Sequence, residues 1–233
     1  MLRRCLLLFY SFSEISRVLP LLRPFRSRVM YGSTGGAPIR EDLPYTSTGR
    51  KGRSRAKMAN QLLDAHKAGK VKVAIGRGSD FFGPRVADSA VGDVVFDAAV
   101  KGKTINVLGK IDLPHTYTYI KDFGRDLVTL SEHDAALGRA WHIPNAETIS
   151  TRQFVDKVNA AAGKSSKIQP SGKAIVWLLG LFNPTMKEFR EMMYEFEEPY
   201  IVDHSQFEAA FGANPTPIDQ AIAETVAWYR KAQ

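Results

Sequence analysis

The sequence predicts an α/β fold with parallel strand pairing, because short apolar strands alternate with amphipathic helices. The clearest pair begins at Ala56, from which apolar residues recur at helical spacing as far as His66. Gly69 ends that helix, and residues 71–75 form a β-branched run that Gly76 is expected to close. A helix beside a buried strand is half of a βαβ unit.

The flanking segments extend this alternation. Residues 38–52 are rich in turn formers and predict a surface loop before the first helix. A helix near residues 94–100, a strand at 105–108 and a strand at 117–120 follow. Asp122 is placed to cap the next helix, and residues 140–143 read as another strand.

Helices dominate the rest of the chain. Ser150 with Gln153 three residues later predicts a capping box, and Gly163 ends the helix that it opens. Thr216 is the expected N-cap of a final helix, with Pro217 in its first position. The other predicted elements are helices at 174–182 and 186–196 and a short strand at 200–202.

The charge distribution argues against a nucleic-acid partner, although the net charge is +8 and the pI about 9.6. Two runs, residues 1–30 and 50–57, each carry a net +5, so the rest of the chain is slightly acidic. The second run contains no aromatic residue for base stacking, and a solvated helix start explains it better. Cys5 is the single cysteine, and five histidines without paired spacing give no support for a metal.

The first thirty residues differ in composition from the rest. They are rich in arginine, serine and leucine, as in a mitochondrial transit peptide, and no run approaches the length of a transmembrane helix. The alternative, which we favour, is an altered start that replaces a normal amino terminus. We therefore expect a cytoplasmic protein, or a mitochondrial one if residues 1–30 direct import.

Five segments in order resemble the NAD(P)-dependent epimerase/dehydratase family of extended short-chain dehydrogenases/reductases. They are YGSTGGAPIREDLPY, RKGRSRAKMANQLL, VAIGRGSDFFGPRV, TYTYIKDFGRDLVTL and the closing segment from residue 202. The resemblance covers residues 31–233 and matches the carboxyl-terminal two-thirds of a family member. It implies an incomplete Rossmann-like, doubly wound parallel sheet at 31–85, a small α/β substrate domain with some returning sheet elements at 86–233, and an atypical segment at 1–30.

The resemblance also implies a catalytic pair on the first helix, where relatives carry Tyr-Gly-x-x-Lys-Ala. This sequence has Lys51 in the tyrosine position and Arg55 in the lysine position. Lys51 could exchange a proton if burial or the cationic neighbour Arg55 lowered its pKa. The alternative, which we favour, is that Lys51 and Arg55 only grip phosphate, carboxylate or ribose oxygens.

Further site residues follow from the same resemblance. Gly78, Ser79 and Asp80 match positions that contact the nicotinamide end of the cofactor, and Arg85 and Tyr119 border the substrate cleft. Each has a structural alternative, since a Gly-Pro turn and core phenylalanines occupy the same stretch.

The Gly-rich turn that cradles a dinucleotide pyrophosphate is not found in this sequence. No glycine precedes Gly32, and the GSTGG run is followed by Pro38 rather than by a helix. We therefore expect an oxidoreductase or epimerase-like chain for a small or sugar-like substrate, inactive and weak in NAD(P) binding. A non-catalytic dinucleotide sensor or scaffold is the alternative. Unpaired strand edges predict self-association or a homo-oligomer.

Overall fold

The fold is an α/β arrangement with parallel strand pairs. A computed structural model describes residues 5–7, 30–172 and 192–232. Its strands are β1 Cys5–Leu7, β2 Lys72–Arg77, β3 Asp80–Phe82, β4 Ile105–Leu108, β5 Pro114–His115, β6 Tyr117–Tyr119, β7 Ala140–His142, β8 Ile149–Ser150 and β9 Ile168–Ser171. Its helices are α1 Arg50–Lys67, α2 Phe96–Val100, α3 Ile120–Glu132, α4 Thr151–Ala162, α5 Tyr194–Glu197, α6 Ser205–Phe211 and α7 Ile218–Lys231, with a 3₁₀ turn at Asp134–Ala136.

Among the described residues four of the five strand pairings are parallel, which confirms the predicted fold class. β1, β2 and β7 form a three-stranded sheet in that order, and β3–β6 and β4–β9 are parallel pairs. β5 and β8 pair antiparallel. The division into domains at residues 30 and 85 stays a prediction.

Two of the apolar clusters in the described residues hold most of these elements together. The larger lies where α2, α4 and α7 pack on β3, β4 and β6, and contains Phe82, Phe96, Phe154 and Tyr229. The second packs α3, β7 and α6 around Leu127, Trp141 and Phe207. The final helix buries one face, which includes Ile218, Ile222, Thr225, Val226 and Tyr229.

Local signals located some boundaries well. Ser150 and Gln153 form the predicted capping box, with Ser150 Oγ accepting from the Gln153 amide at 3.2 Å and Gln153 Oε1 accepting from the Ser150 amide at 2.9 Å. Gly163 adopts the left-handed conformation that ends α4. The strand expected at 105–108 is confirmed. The helices expected at 174–182 and over most of 186–196 lie outside the described residues.

Other boundary predictions were wrong. α1 begins at Arg50, inside the expected loop. β2 continues through Gly76 to Arg77, because Gly76 serves packing: a Cβ there would lie 2.5 Å from Leu127 Cδ2 on α3. The strand expected at 200–202 is reduced to two isolated bridges, at Tyr200 and Val202.

The cap predictions for α3 and α7 were also wrong, for a single reason. Tyr119 precedes α3, while Asp122 lies in its first turn and accepts from the Thr216 amide at 2.8 Å and the Thr216 hydroxyl at 2.7 Å. Thr216 therefore bonds across to α3 instead of capping its own helix, and Pro217 takes the N-cap position. The two predicted caps contact each other and fix the start of α7 against α3.

The edge of β2 that we expected to be open is occupied. Cys5–Leu7 lies parallel to β2, with Leu6 opposite Val73. A segment of the basic amino-terminal stretch thus supplies backbone pairing to the sheet. Within the described residues, no helix is both long and apolar enough to cross a bilayer.

Replacing Leu6 by proline tests this pairing, because proline removes a backbone N–H from the middle of a three-residue strand. We expect Leu6→Pro to lower the free energy of unfolding by roughly 1 to 3 kcal/mol. It should also promote self-association through the released edge of β2. Denaturant titration and sedimentation velocity measure both effects. Leu6→Ile, which keeps the N–H, is the control, and equal behaviour of the two variants would contradict the pairing.

Candidate functional site

The candidate site lies at the carboxyl ends of β2 and β7, where Arg77 stands opposite His142. Parallel α/β sheets bind ligands outside the carboxyl ends of their strands, because helix amino termini and loops converge there. The residues following β2 are those predicted to contact the cofactor. The fold therefore places the predicted site residues Gly78, Ser79 and Asp80 at the edge where ligands are expected.

Arg77 is the centre of a buried polar network. Its side chain has no exposed surface, and its guanidinium lies beside the rings of Tyr31 and Tyr45, at 5.3 and 5.2 Å from their centroids. It donates to both phenol oxygens. Within the described residues no carboxylate contacts it, and Nε has no hydrogen-bond partner. Two aromatic faces and two hydroxyls thus replace the counter-ion that a buried cation normally requires.

His142 extends this network. Its Nδ1 lies 2.8 Å from the Asp203 carbonyl, which can only accept, so Nδ1 carries the proton and Nε2 accepts from Tyr31 Oη at 3.0 Å. The His142 amide donates to Glu41 at 2.8 Å. The network thereby joins the ends of β2 and β7 to the loop that follows Tyr31 and to the segment before α6.

Ser79 belongs to a second buried chain of hydrogen bonds. Thr118 Oγ1 donates to Asn145 Oδ1 at 2.6 Å, so it accepts both from the Ser79 amide at 2.7 Å and from the Ser79 hydroxyl at 2.9 Å. Asn145 in turn donates to the Ile143 carbonyl at 2.9 Å. The Ser79 proton is committed inside the protein, and only its lone pairs are left for a ligand.

Asp80 pairs with a histidine that the sequence did not single out. Asp80 Oδ2 lies 2.9 Å from His115 Nε2, and the two residues are 2% and 4% exposed. The imidazole has aromatic neighbours in Tyr117 and Tyr200, each with its centroid at 4.8 Å, and in Phe196 at 6.0 Å. An acid and a histidine are therefore held in contact within an aromatic enclosure beside Ser79.

Residues 200–203 lie between the candidate site and the loop that contains Ile39. The Tyr200 amide donates to the Pro114 carbonyl at 2.8 Å, and the Thr116 amide donates to the Tyr200 carbonyl at 2.9 Å. Three residues further on, Asp203 N donates to the Ile39 carbonyl at 3.0 Å. Residues 200–203 therefore connect the Asp80–His115 pair to the loop that contains Ile39.

The predicted catalytic pair lies in the first two turns of α1. Lys51 is partly exposed, while Arg55, one turn later, is 8% exposed and shares the buried face of the helix with Gly52 and Ala59. Gly49 precedes the helix without a side-chain cap. Both proposed roles for Lys51 and Arg55 stay predictions.

The other predicted site residues, Gly78, Arg85 and Tyr119, differ in how exposed they are. Gly78 has no room for a side chain, since a Cβ would meet the Phe81 ring at 2.4 Å. Arg85 is exposed, at a positive φ of 69°. Tyr119 is buried, and its hydroxyl donates to Glu224 Oε2 of α7 at 2.7 Å. Their contacts with cofactor or substrate also remain predictions.

The Glu224 carboxylate on α7 accepts hydrogen bonds from Tyr119, Lys121 and Gln220. Hydrogen bonds from Lys121, Tyr119 and Gln220 lower its pKa to about 2. Burial, followed by the Glu224 hydrogen bond, raises the pKa of Tyr119 well above its ordinary value. The Tyr119 hydroxyl is thus held in its neutral form as a donor to Glu224.

The GSTGG loop does not fit a pyrophosphate. Ser33 Oγ bonds both carboxylate oxygens of Glu198 at 2.7 Å, and the Gly35 amide donates to the same carboxylate at 3.1 Å. Pro199 fills the space where a Cβ of Gly36 would stand, at 2.9 Å. A carboxylate of the chain itself occupies the donors, and no helix amino terminus follows. In the part of the chain that the structure describes, this loop cannot cradle a dinucleotide.

Comparison with known proteins assigns the family. The sequence model of the NAD dependent epimerase/dehydratase family matches residues 24–143, just over half of the chain. This protein belongs to that family, whose cofactor is NAD(P). A search of curated proteins finds no match.

Solved structures share the fold. UDP-glucuronic acid 4-epimerase from Bacillus cereus, in complex with NAD, is similar with a TM-score of 0.70 at 17% identity, over 88% of this chain and 60% of that one. dTDP-glucose 4,6-dehydratase from Bacillus anthracis, also with NAD, gives 0.68 at 18% identity, with coverages of 88% and 60%. RMD from Pseudomonas aeruginosa, complexed with NADPH, gives 0.65 at 14%, with coverages of 88% and 64%. The chain thus spans about 60% of the length of these proteins.

Asp126 is a buried carboxylate on α3, one turn after Asp122, and its pKa is raised. Burial raises its pKa to about 6, with Arg125 opposing the rise and Asp122 adding to it. Arg125 bonds Asp122 at 2.9 Å and Asp126 at 3.2 Å. One arginine therefore serves two buried carboxylates on the same helix.

This arrangement predicts a pH dependence of stability. The native state holds the Asp126 proton more tightly than the unfolded chain, so the free energy of unfolding should fall as pH rises from 3.8 through about 6. Asp126→Asn should remove that fall and stabilise the protein at neutral pH by roughly 1 to 3 kcal/mol. Urea denaturation across this pH range measures it. Asp219→Asn, at a mainly exposed carboxylate, is the control, and a wild-type curve that matches Asp126→Asn would refute the assignment.

Proposed function

We propose that this chain carries the substrate-side part of an NAD(P)-dependent oxidoreductase or epimerase for a small or sugar-like substrate. The observation that carries the proposal is the cluster of Ser79, Asp80 and His115 at the carboxyl end of β2. Buried polar groups that converge at a sheet end favour a ligand site over a purely structural core. The similar solved structures make UDP-glucuronic acid and dTDP-glucose suitable first substrates to test.

Lys51 and Arg55 fit an anion better than they fit the family's acid/base pair. Arg55 cannot release its proton, and together the two present positive charge in the first turns of a helix, where the macrodipole adds to the attraction. We therefore propose that they bind phosphate, carboxylate or ribose oxygens. Proton exchange by Lys51 is the alternative, and predicts a loss of turnover by roughly 10² to 10⁴ for Lys51→Met in a version of the protein restored to full length.

A dinucleotide sensor or scaffold without catalytic activity is the second candidate function. The absence of tyrosine at position 51 favours it. The two candidates differ in what they require of the chain: a sensor must bind the dinucleotide firmly, whereas the substrate-side function does not require this of the described residues. A cytoplasmic location is part of both proposals.

We expect the full chain to bind NAD(H) and NADP(H) only at millimolar concentration and to show no turnover, because the described residues offer no amide cradle for the pyrophosphate. Calorimetry with each dinucleotide, followed by a nicotinamide absorbance assay with UDP-glucuronic acid or dTDP-glucose, measures both. Lys51→Met should weaken the residual binding. Lys57→Met, an exposed position on the same helix, should not.

The outcomes separate the candidate functions. Micromolar dinucleotide binding without turnover would support the sensor. Micromolar binding with turnover would show that phosphate contacts are supplied from outside the described residues. Failure of the sugar nucleotides as well as the dinucleotides to bind would contradict both proposals.

A further inference from the structure

We infer that His115, oriented by Asp80, is a proton-exchanging group of this site, and that its Nδ1 faces a hydroxyl or carbonyl of the ligand. The inference takes the ligand class, a sugar-like compound, from the proposed function. The basicity of the nitrogen does not depend on that function.

The geometry fixes which nitrogen is basic. Asp80 Oδ2 lies 2.9 Å from His115 Nε2, and a carboxylate can only accept, so Nε2 carries the proton of the neutral ring. Nδ1 then holds the lone pair. None of the described residues bonds Nδ1, although His115 is only 4% exposed. Nδ1 is not one of the fully buried unbonded atoms of the described residues, so its lone pair is accessible to a partner from outside the protein.

The surroundings keep the ring in that orientation. Tyr200 stacks on the imidazole at an interplanar angle of 24° and Phe196 at 10°, while Tyr117 lies tilted at 35°. Asp80 is held by its strand, since β3 pairs with β6 and Asp80 is opposite Tyr117. Rotation of the ring would break the Asp80 contact, so the packing preserves the tautomer.

The chemistry is a balanced proton exchange. An O–H bond of the ligand breaks, an Nδ1–H bond forms, and the resulting imidazolium keeps its Nε2–H on the Asp80 carboxylate. The charge that develops on the ring is compensated by Asp80. The reverse step returns the proton to the ligand oxygen. Asp80 does not take the proton itself and acts as a positioning residue.

His142 provides a contrast within the same chain. It has no exposed surface, and both of its ring nitrogens are bonded, one to Tyr31 and one to the Asp203 carbonyl. A structural histidine of this kind has no lone pair to offer. The two residues are therefore matched for burial and differ in the bonding of one nitrogen.

Carbethoxylation of the full chain by diethyl pyrocarbonate, mapped by peptide mass spectrometry, tests the inference because the reagent attacks an unprotonated imidazole nitrogen. At neutral pH we expect His115 to react at least about tenfold faster than His142. At a pH high enough that the imidazole is unprotonated in both proteins, Asp80→Asn keeps an acceptor for Nε2–H but removes the charge that makes Nδ1 more nucleophilic. It should then slow His115 several-fold while the rate at exposed His133 stays unchanged. Thermal unfolding checks that the variant folds.

Protection of His115 by sugar nucleotides tests whether Nδ1 faces a sugar-like ligand. Millimolar UDP-glucuronic acid or dTDP-glucose should slow modification of His115 and leave His133 unaffected. Reaction of His115 as slow as that of His142 would overturn the inference whatever cofactor or substrate the protein binds. A reactive His115 that neither compound protects would overturn the assignment of a sugar-like ligand to Nδ1.

Discussion

Burial of the Arg77 guanidinium is the constraint on which the rest of the site depends. A cation removed from water is costly, and within the described residues Arg77 has no carboxylate to compensate it. Its stabilisation comes from the faces and hydroxyls of Tyr31 and Tyr45. Both tyrosines must therefore stay in place, and with them the loop that begins at Tyr31 and the approach to α1. Tyr31 also bonds His142 on β7, so the position of His142 depends on Arg77 as well.

The site has two polar systems with different properties. In the Arg77 network the hydroxyls and ring nitrogens bond one another and neighbouring backbone, and Arg77 Nε is the atom left without a partner among the described residues. In the Asp80–His115 pair, one ring nitrogen has no partner among the residues that the structure describes. We interpret the first as a support that holds loops in position, and the second as the group that meets a ligand. Residues 200–203 connect the Arg77 network to the Asp80–His115 pair, so a change in the network should alter the position of the pair.

Sequence patterns located those features whose partners are close along the chain. Ser150 and Gln153 are three residues apart, and the capping box was predicted correctly. Gly76 was misread as a strand end because its function is to admit Leu127 from α3, a tertiary contact without a local signal. Asp122 was misread as a cap because its partner Thr216 is 94 residues away.

The same limit explains which site residues were missed. Asp80 was identified from the family resemblance, but His115 lies 35 residues further on, and a search for metal-type spacing passed over it. Arg77 was not identified as a site residue, because its burial depends on tyrosines 46 and 32 residues earlier. The family assignment gave the fold and the approximate edge of the site. The pairing of β3 with β6 was needed to bring acid and histidine together.

Hydrogen exchange of Arg77→Met tests most directly whether Arg77 holds the site together. If the guanidinium fixes Tyr31 and Tyr45, amide protection in residues 31–47, including the Ser47 amide bonded to Met30, should fall by about tenfold or more. Protection in β4 and β9 should stay unchanged, as should the whole pattern in Arg152→Met, where an exposed arginine bonds Asp112. Unchanged protection of residues 31–47 in Arg77→Met would contradict the account.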